Sequence, residues 1–136
     1  MRKYILILFL FVSFSIAGTP MHFYAKHDYI DHGKALIFAS GDFVQGTTLK
    51  FVNFVRDHKI ARARIYFDSY GGNLMEGIYL GEMIRKLGYE TSIGTENKKF
   101  EGMCASACTY AFAGGVSRYI YYDKQRLVSS QASNVG

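Results

Sequence analysis

The sequence predicts an α/β fold with a largely parallel sheet. Short apolar or β-rich runs alternate with helix-patterned segments, which implies right-handed βαβ crossovers. Two glycine-rich turns stand at comparable places, each between a strand and a helix. The composition, 49% hydrophobic and 20% charged over 136 residues, is that of one globular domain.

The chain opens with Met1-Arg2-Lys3, an apolar run from Tyr4 to about Ile16, and Ser15-Ile16-Ala17, which suits signal-peptidase cleavage. Residues 1–17 therefore read as an export signal, and the mature protein is expected in the periplasm or outside the cell. The competing reading is a retained membrane anchor. A span needs ~20 apolar residues, whereas this run is shorter and contains Ser13 and Ser15. Residues 18–33 show no sustained period and hold three of the four histidines, His22, His27 and His32, so they read as an extended or irregular entry segment.

Lys34 to Ser40, bounded by Gly33 and Gly41, reads as a buried strand. Leu49 to Asp57 places Leu49, Val52 and Val55 near one face behind Thr48 as N-cap, which predicts a first helix. "ARIYFDS" alternates and stops at Tyr70-Gly71-Gly72, a strand running into a turn. In the next helix Asn73 caps, with Glu76 three residues on, Leu74, Ile78, Gly81 and Ile84 share a face, and Gly88 ends it. Gly77 and Gly81 imply that this helix approaches the sheet closely, since each glycine costs a helix ~1 kcal/mol relative to alanine. "YETSIG" and "FEGMC" are short candidate strands around a charged loop, Ala105 to Ala113 is a third helix, and "SRYIYY" is a last strand. The ending after Val128 is polar and aperiodic.

The formal charge of +5 falls to +3 when Arg2 and Lys3 leave with the signal. The remaining basic residues are scattered and no Lys/Arg run interleaves with aromatics, which argues against a nucleic-acid partner. No metal site is expected, because two thiols without an adjacent histidine or further cysteine do not complete one. Cys104 and Cys108 read either as a disulfide, favoured by export, or as two buried thiols. A bridge is feasible if Cys104 sits before the helix rather than within it.

The residues that bear chemistry are in the two glycine turns, Ser69 to Gly72 and Gly102 to Ser106. In α/β sheets such turns lie at the carboxyl ends of strands, where ligands bind. Free N–H groups at a helix start stabilise an oxyanion, and a serine there completes the arrangement. Ser106 is thus a nucleophile candidate; its alternative role is a small N-capping residue.

"YFDSYGGNLMEGIYLGEMIRKLGYETSIG" followed by "GMCASACTYAFAGGVSRYI" resembles the Clp protease proteolytic subunit within the ClpP/crotonase-like superfamily. It is similar in particular to an exported bacterial branch with a Ser-Pro-Gly-Gly turn and a Cys-x-Ser-x-Cys segment. The resemblance runs from about Ala35 to Gln131 and implies repeated β-α units over residues 34–136. It also implies Ser106 as nucleophile, the N–H groups of Gly72 and Ala107 as oxyanion hole with Gly71 shaping the turn, and no cofactor. The implied substrate is a peptide or small acyl compound, and homo-oligomers occur among such relatives. Two departures stand out. Tyr70 replaces the turn proline, and "RLVSSQ" puts Ser130 where the family has its base histidine. The family's third member, an acid further on, would lie beyond Gly136, so the domain is expected to be C-terminally truncated. The resemblance therefore implies a serine peptidase or acyl-hydrolase homologue with an incomplete triad and weak or no activity. The alternatives are a non-catalytic peptide-binding relative and a truncated product without independent function.

Overall fold

The computed structural model describes residues 18–27, 33–96 and 102–120. The export signal, Ser130 and the C-terminal residues lie outside them. In chain order the elements are β1 (His22–His27), β2 (Ala35–Ser40), α1 (Thr47–Asp57), β3 (Ala63–Asp68), α2 (Leu74–Leu87), β4 (Glu90–Ile93), α3 (Ala107–Ala113) and β5 (Arg118–Tyr119). The protein is α/β, with one five-stranded sheet in the order β1-β2-β3-β4-β5. β2 to β5 run parallel and β1 pairs antiparallel with β2 along the edge.

Each parallel strand lies beside the previous one, so every right-handed crossover places its helix on the same side of the sheet. The core records this asymmetry. Ile37, Ala39, Ile65 and Phe67 form one buried cluster with Phe51 and Val55 of α1, Leu80 and Ile84 of α2, and Ala107, Cys108 and Ala111 of α3. The alternate residues Leu36, Phe38 and Tyr66 form a second, smaller cluster on the other face. Lys34, Arg64 and Glu90 extend that face at the amino ends of the strands. The Glu90 carboxylate accepts from Lys34 Nζ at 2.8 Å and from Arg64 Nε at 2.9 Å, while Arg64 lies over the Tyr119 ring. Burial works to raise the Glu90 pKa, but these two cations outweigh it and hold the carboxyl below its ordinary value.

Several expectations need correction. Of the two readings of the entry segment, its described part follows the extended one and is more regular than expected: it contains β1. Met21, Phe23 and Ala25 turn toward the core while His22, Tyr24 and Lys26 face away, a period-2 pattern over a short span. Thr48 does not cap α1. The helix starts at Thr47, two residues before the expected Leu49, behind Gly46, and the Thr48 hydroxyl donates to Glu76 Oε2 at 2.7 Å. Leu74 is exposed; Gly77, Leu80, Gly81 and Ile84 form the buried face of α2. The glycines of α2 meet α3 rather than the sheet. A Cβ on Gly77 would lie 2.2 Å from the Ala107 carbonyl oxygen, and one on Gly81 2.5 Å from that of Tyr110. Within "FEGMC" the described residues form no strand, only an isolated bridge from Cys104 to Ser69. α3 begins at Ala107, after Ser106 rather than before it. No described helix is long and apolar enough to cross a membrane.

Candidate functional site

The two glycine turns meet at the carboxyl edge of the sheet, and the backbone explains how. As β3 ends, Ser69 donates its N–H to Met103 O at 2.7 Å and accepts at its own carbonyl from Ala105 N–H at 3.1 Å. Asp68 Oδ1 accepts the Met103 N–H at 3.0 Å. The end of β3 is thereby joined to the chain just before Ser106. The Ser69 hydroxyl is buried and accepts from Gly71 N–H at 3.1 Å, which starts the turn. Gly71 and Gly72 then take φ of 110° and 129°, values that favour glycine.

Gly71 must also be small for a second reason. A Cβ there would lie 2.7 Å from Ser106 Cβ and 2.8 Å from Ala105 O. The first glycine turn is therefore packed directly against the serine. Gly72 is held from the opposite side: Phe43 N–H donates to Gly71 O at 2.8 Å, and Asn73 N–H to Phe43 O at 2.7 Å. Those bonds use the groups on either side of the Gly72 N–H. The N–H groups of Gly72 and Ala107 make no hydrogen bond to a described residue.

Ser106 has φ 53° and ψ −123°, one of two non-glycine residues with positive φ among those described. Such a backbone costs on the order of 1–3 kcal/mol and persists only when its surroundings over-determine it. Here the surroundings are the Ser69 bonds, the Gly71 contact and the first turn of α3, where Thr109 donates both its N–H and its hydroxyl to Ser106 O. The Ser106 side chain is exposed and makes no capping bond. An N-cap serine would accept from the helix amides; this hydroxyl accepts from none of them.

Cys104 and Cys108 are joined in a disulfide that spans Ser106, with Cα atoms 5.2 Å apart. Cys104 lies before the helix and Cys108 inside its first turn, the placement that makes a bridge across four residues feasible.

No described base touches the Ser106 hydroxyl. His22 lies on the sheet face away from the helices, and His58 follows α1, its Nδ1 2.9 Å from Phe54 O. The side chain of His27 and all of His32 and Ser130 lie outside the described residues. Among the described residues no group of three His, Cys, Asp or Glu side chains could hold a metal ion.

Sequence reasoning missed two supporting residues. Ser69 passed as part of a turn, although its polar groups tie both glycine turns together. Glu76 was paired with Asn73 as a capping box, and Asn73 Oδ1 does accept from Glu76 N–H at 3.1 Å. The Glu76 carboxylate, however, reaches across to α1, accepting from Gly46 N–H at 2.7 Å and Thr48 N–H at 2.9 Å. Burial works to raise its pKa, but the Thr48 and Gly46 bonds prevail and lower it. An acid at a helix start is a readable signal; that it serves a different helix is not.

Comparison with protein-family models, with curated proteins and with solved structures finds no match to this chain.

Proposed function

We propose that the chain is an exported serine peptidase or acyl-hydrolase homologue of the ClpP/crotonase-like type, with Ser106 as nucleophile and the Gly72 and Ala107 N–H groups as oxyanion donors. The observation that carries this reading is the conformation of Ser106. A strained, exposed serine without a capping bond, packed against a double-glycine turn, is better explained by attack on a carbonyl than by helix capping. In that reaction the Ser106 Oγ bonds to the acyl carbon as its proton passes to water, the carbonyl π pair moves onto the oxygen between the two N–H groups, and collapse of the adduct expels the amine or alkoxide, which takes a proton from water. Exposed Tyr70 in the first glycine turn, Met103 just before the serine, and Leu74 and Tyr110 on the packed α2–α3 pair suit an apolar acyl or peptide substrate.

The hydroxyl proton has no described acceptor, and an unactivated serine is a poor nucleophile. Loss of the base in a serine hydrolase costs several orders of magnitude in rate while the oxyanion hole retains some catalysis. The reading is therefore a site of hydrolase layout with weak turnover. The unbonded hydroxyl also favours a second reading, a peptide-binding relative that does not catalyse. A fluorophosphonate probe separates the two. Under the hydrolase reading it labels the mature protein, and Ser106→Ala abolishes the adduct; no labelling at high probe concentration leaves the binding reading.

A further inference from the structure

The sheet face away from the helices carries a second concavity, built by strand register. Tyr24 stands opposite Phe38, and Phe38 opposite Tyr66; one step along, His22 stands opposite Ser40, and Ser40 opposite Asp68. The aromatic row is stacked, with ring centroids 6.4 Å apart for Tyr24 and Phe38 and 5.3 Å for Phe38 and Tyr66. Beside these two rows, the chain leaving β4 turns at Gly94 and brings up Thr95 and Glu96. Together they line a partly open cavity of about 310 Å³, at the small end of the range for ligand sites.

Three of its polar groups have no partner among the described residues. Asp68 uses Oδ1 for the Met103 N–H, but its Oδ2, the His22 ring and the Ser40 hydroxyl make no hydrogen bond to a described residue. Glu96 has Lys26 only at 3.9 Å, an exposed pair that solvent screens. Among the described residues, two carboxylates, the rings of Tyr24, Phe38 and Tyr66 and the His22 imidazole line the cavity, and no lysine or arginine does. An anion would meet two like charges, whereas a cation gains both the carboxylates and the rings.

We propose that this cavity binds a small organic cation, an alkylammonium or guanidinium group, seated between the Tyr24–Phe38–Tyr66 row and the carboxylates of Asp68 and Glu96. The site does not depend on the Ser106 reading, because it lies on the opposite face of the sheet from α3.

The test uses choline and its uncharged isostere 3,3-dimethylbutan-1-ol, titrated calorimetrically into the full mature chain. Choline is expected to saturate one site and to bind about tenfold or more tightly than the alcohol. Glu96→Gln and Tyr24→Ala, both at exposed positions, are each expected to weaken choline about threefold or more, while Ser106→Ala leaves its affinity unchanged. Equal affinities for choline and the alcohol, no saturation with choline, or undiminished choline binding in both variants would overturn the proposal. Loss of serine labelling alone would not affect it.

Discussion

The starts of α2 and α3 solve the same problem in opposite ways. Both follow a glycine turn at the carboxyl edge of the sheet, and the two helices pack against each other along Gly77, Gly81 and Gly114. At α2 the cap is Asn73, in an extended conformation with φ −62° and ψ 115°, and its side chain accepts from the helix. Glu76 adds a carboxylate in the first turn, favourable at the positive end of the helix. At α3 the corresponding residue, Ser106, has left-handed φ and no capping bond, and the first turn holds no acid. One junction spends a side chain on its own Glu76 amide. The other leaves the Ala107 N–H without a described partner and has no acid in its first turn, which is what an incoming oxyanion requires.

The largest expected effect tests the seam that holds the two junctions together. Gly77→Ala pushes a methyl into the Ala107 carbonyl, and neither backbone can yield without moving α3. A loss of about 3 kcal/mol in urea unfolding is expected, with slower labelling of Ser106. A loss below about 1 kcal/mol would mean that α2 and α3 separate easily and that the Ser106 turn is not held by this contact.

The next pair of variants sharpens the contrast itself. Asn73→Ala should cost about 1 kcal/mol, the ordinary value of a lost N-cap. Ser106→Ala should stay within about 0.5 kcal/mol, because its hydroxyl bonds to none of the described residues. Equal losses in the two variants would turn Ser106 into a cap and remove the main support for a reactive site.

A smaller effect concerns pH. Because the Glu76 pKa is lowered in the folded chain, its contribution is full above the ordinary glutamate value and is lost as pH falls through the lowered one. Glu76→Gln should flatten the acid limb of a stability–pH profile and leave the neutral region parallel to the parent. Glu90 is shifted in the same direction by Lys34 and Arg64, so some acid dependence remains in the variant. An unchanged acid limb would show that the carboxylate bridge to α1 adds nothing.

The same contrast explains how much the sequence revealed. α2 was readable from end to end because Asn73, Glu76 and Gly88 carry their signals in their own chemistry. β1 was not read as a strand: its period of two is brief, and polar His22, Tyr24 and Lys26 mask the inward Phe23 and Ala25. With β1 unread, the alignment of His22, Ser40 and Asp68 across three strands was out of reach, since register is a tertiary property. Ser106 was located by resemblance and by its small neighbours. Its left-handed backbone was not legible, because serine has no preference for positive φ and the conformation is imposed by the surrounding segments. The role of Gly77 and Gly81 was half legible: a close approach followed from residue size, the partner did not.

The most direct measurement is the rate of fluorophosphonate labelling at Ser106 as a function of pH, read by mass spectrometry of the intact chain. A serine in an oxyanion site without a histidine base should give a single adduct, absent in Ser106→Ala, whose rate climbs steadily from pH 6 to about 9 with no plateau near the ordinary histidine value of about 6.5. No adduct anywhere in that range, or an adduct that survives Ser106→Ala, would contradict the account.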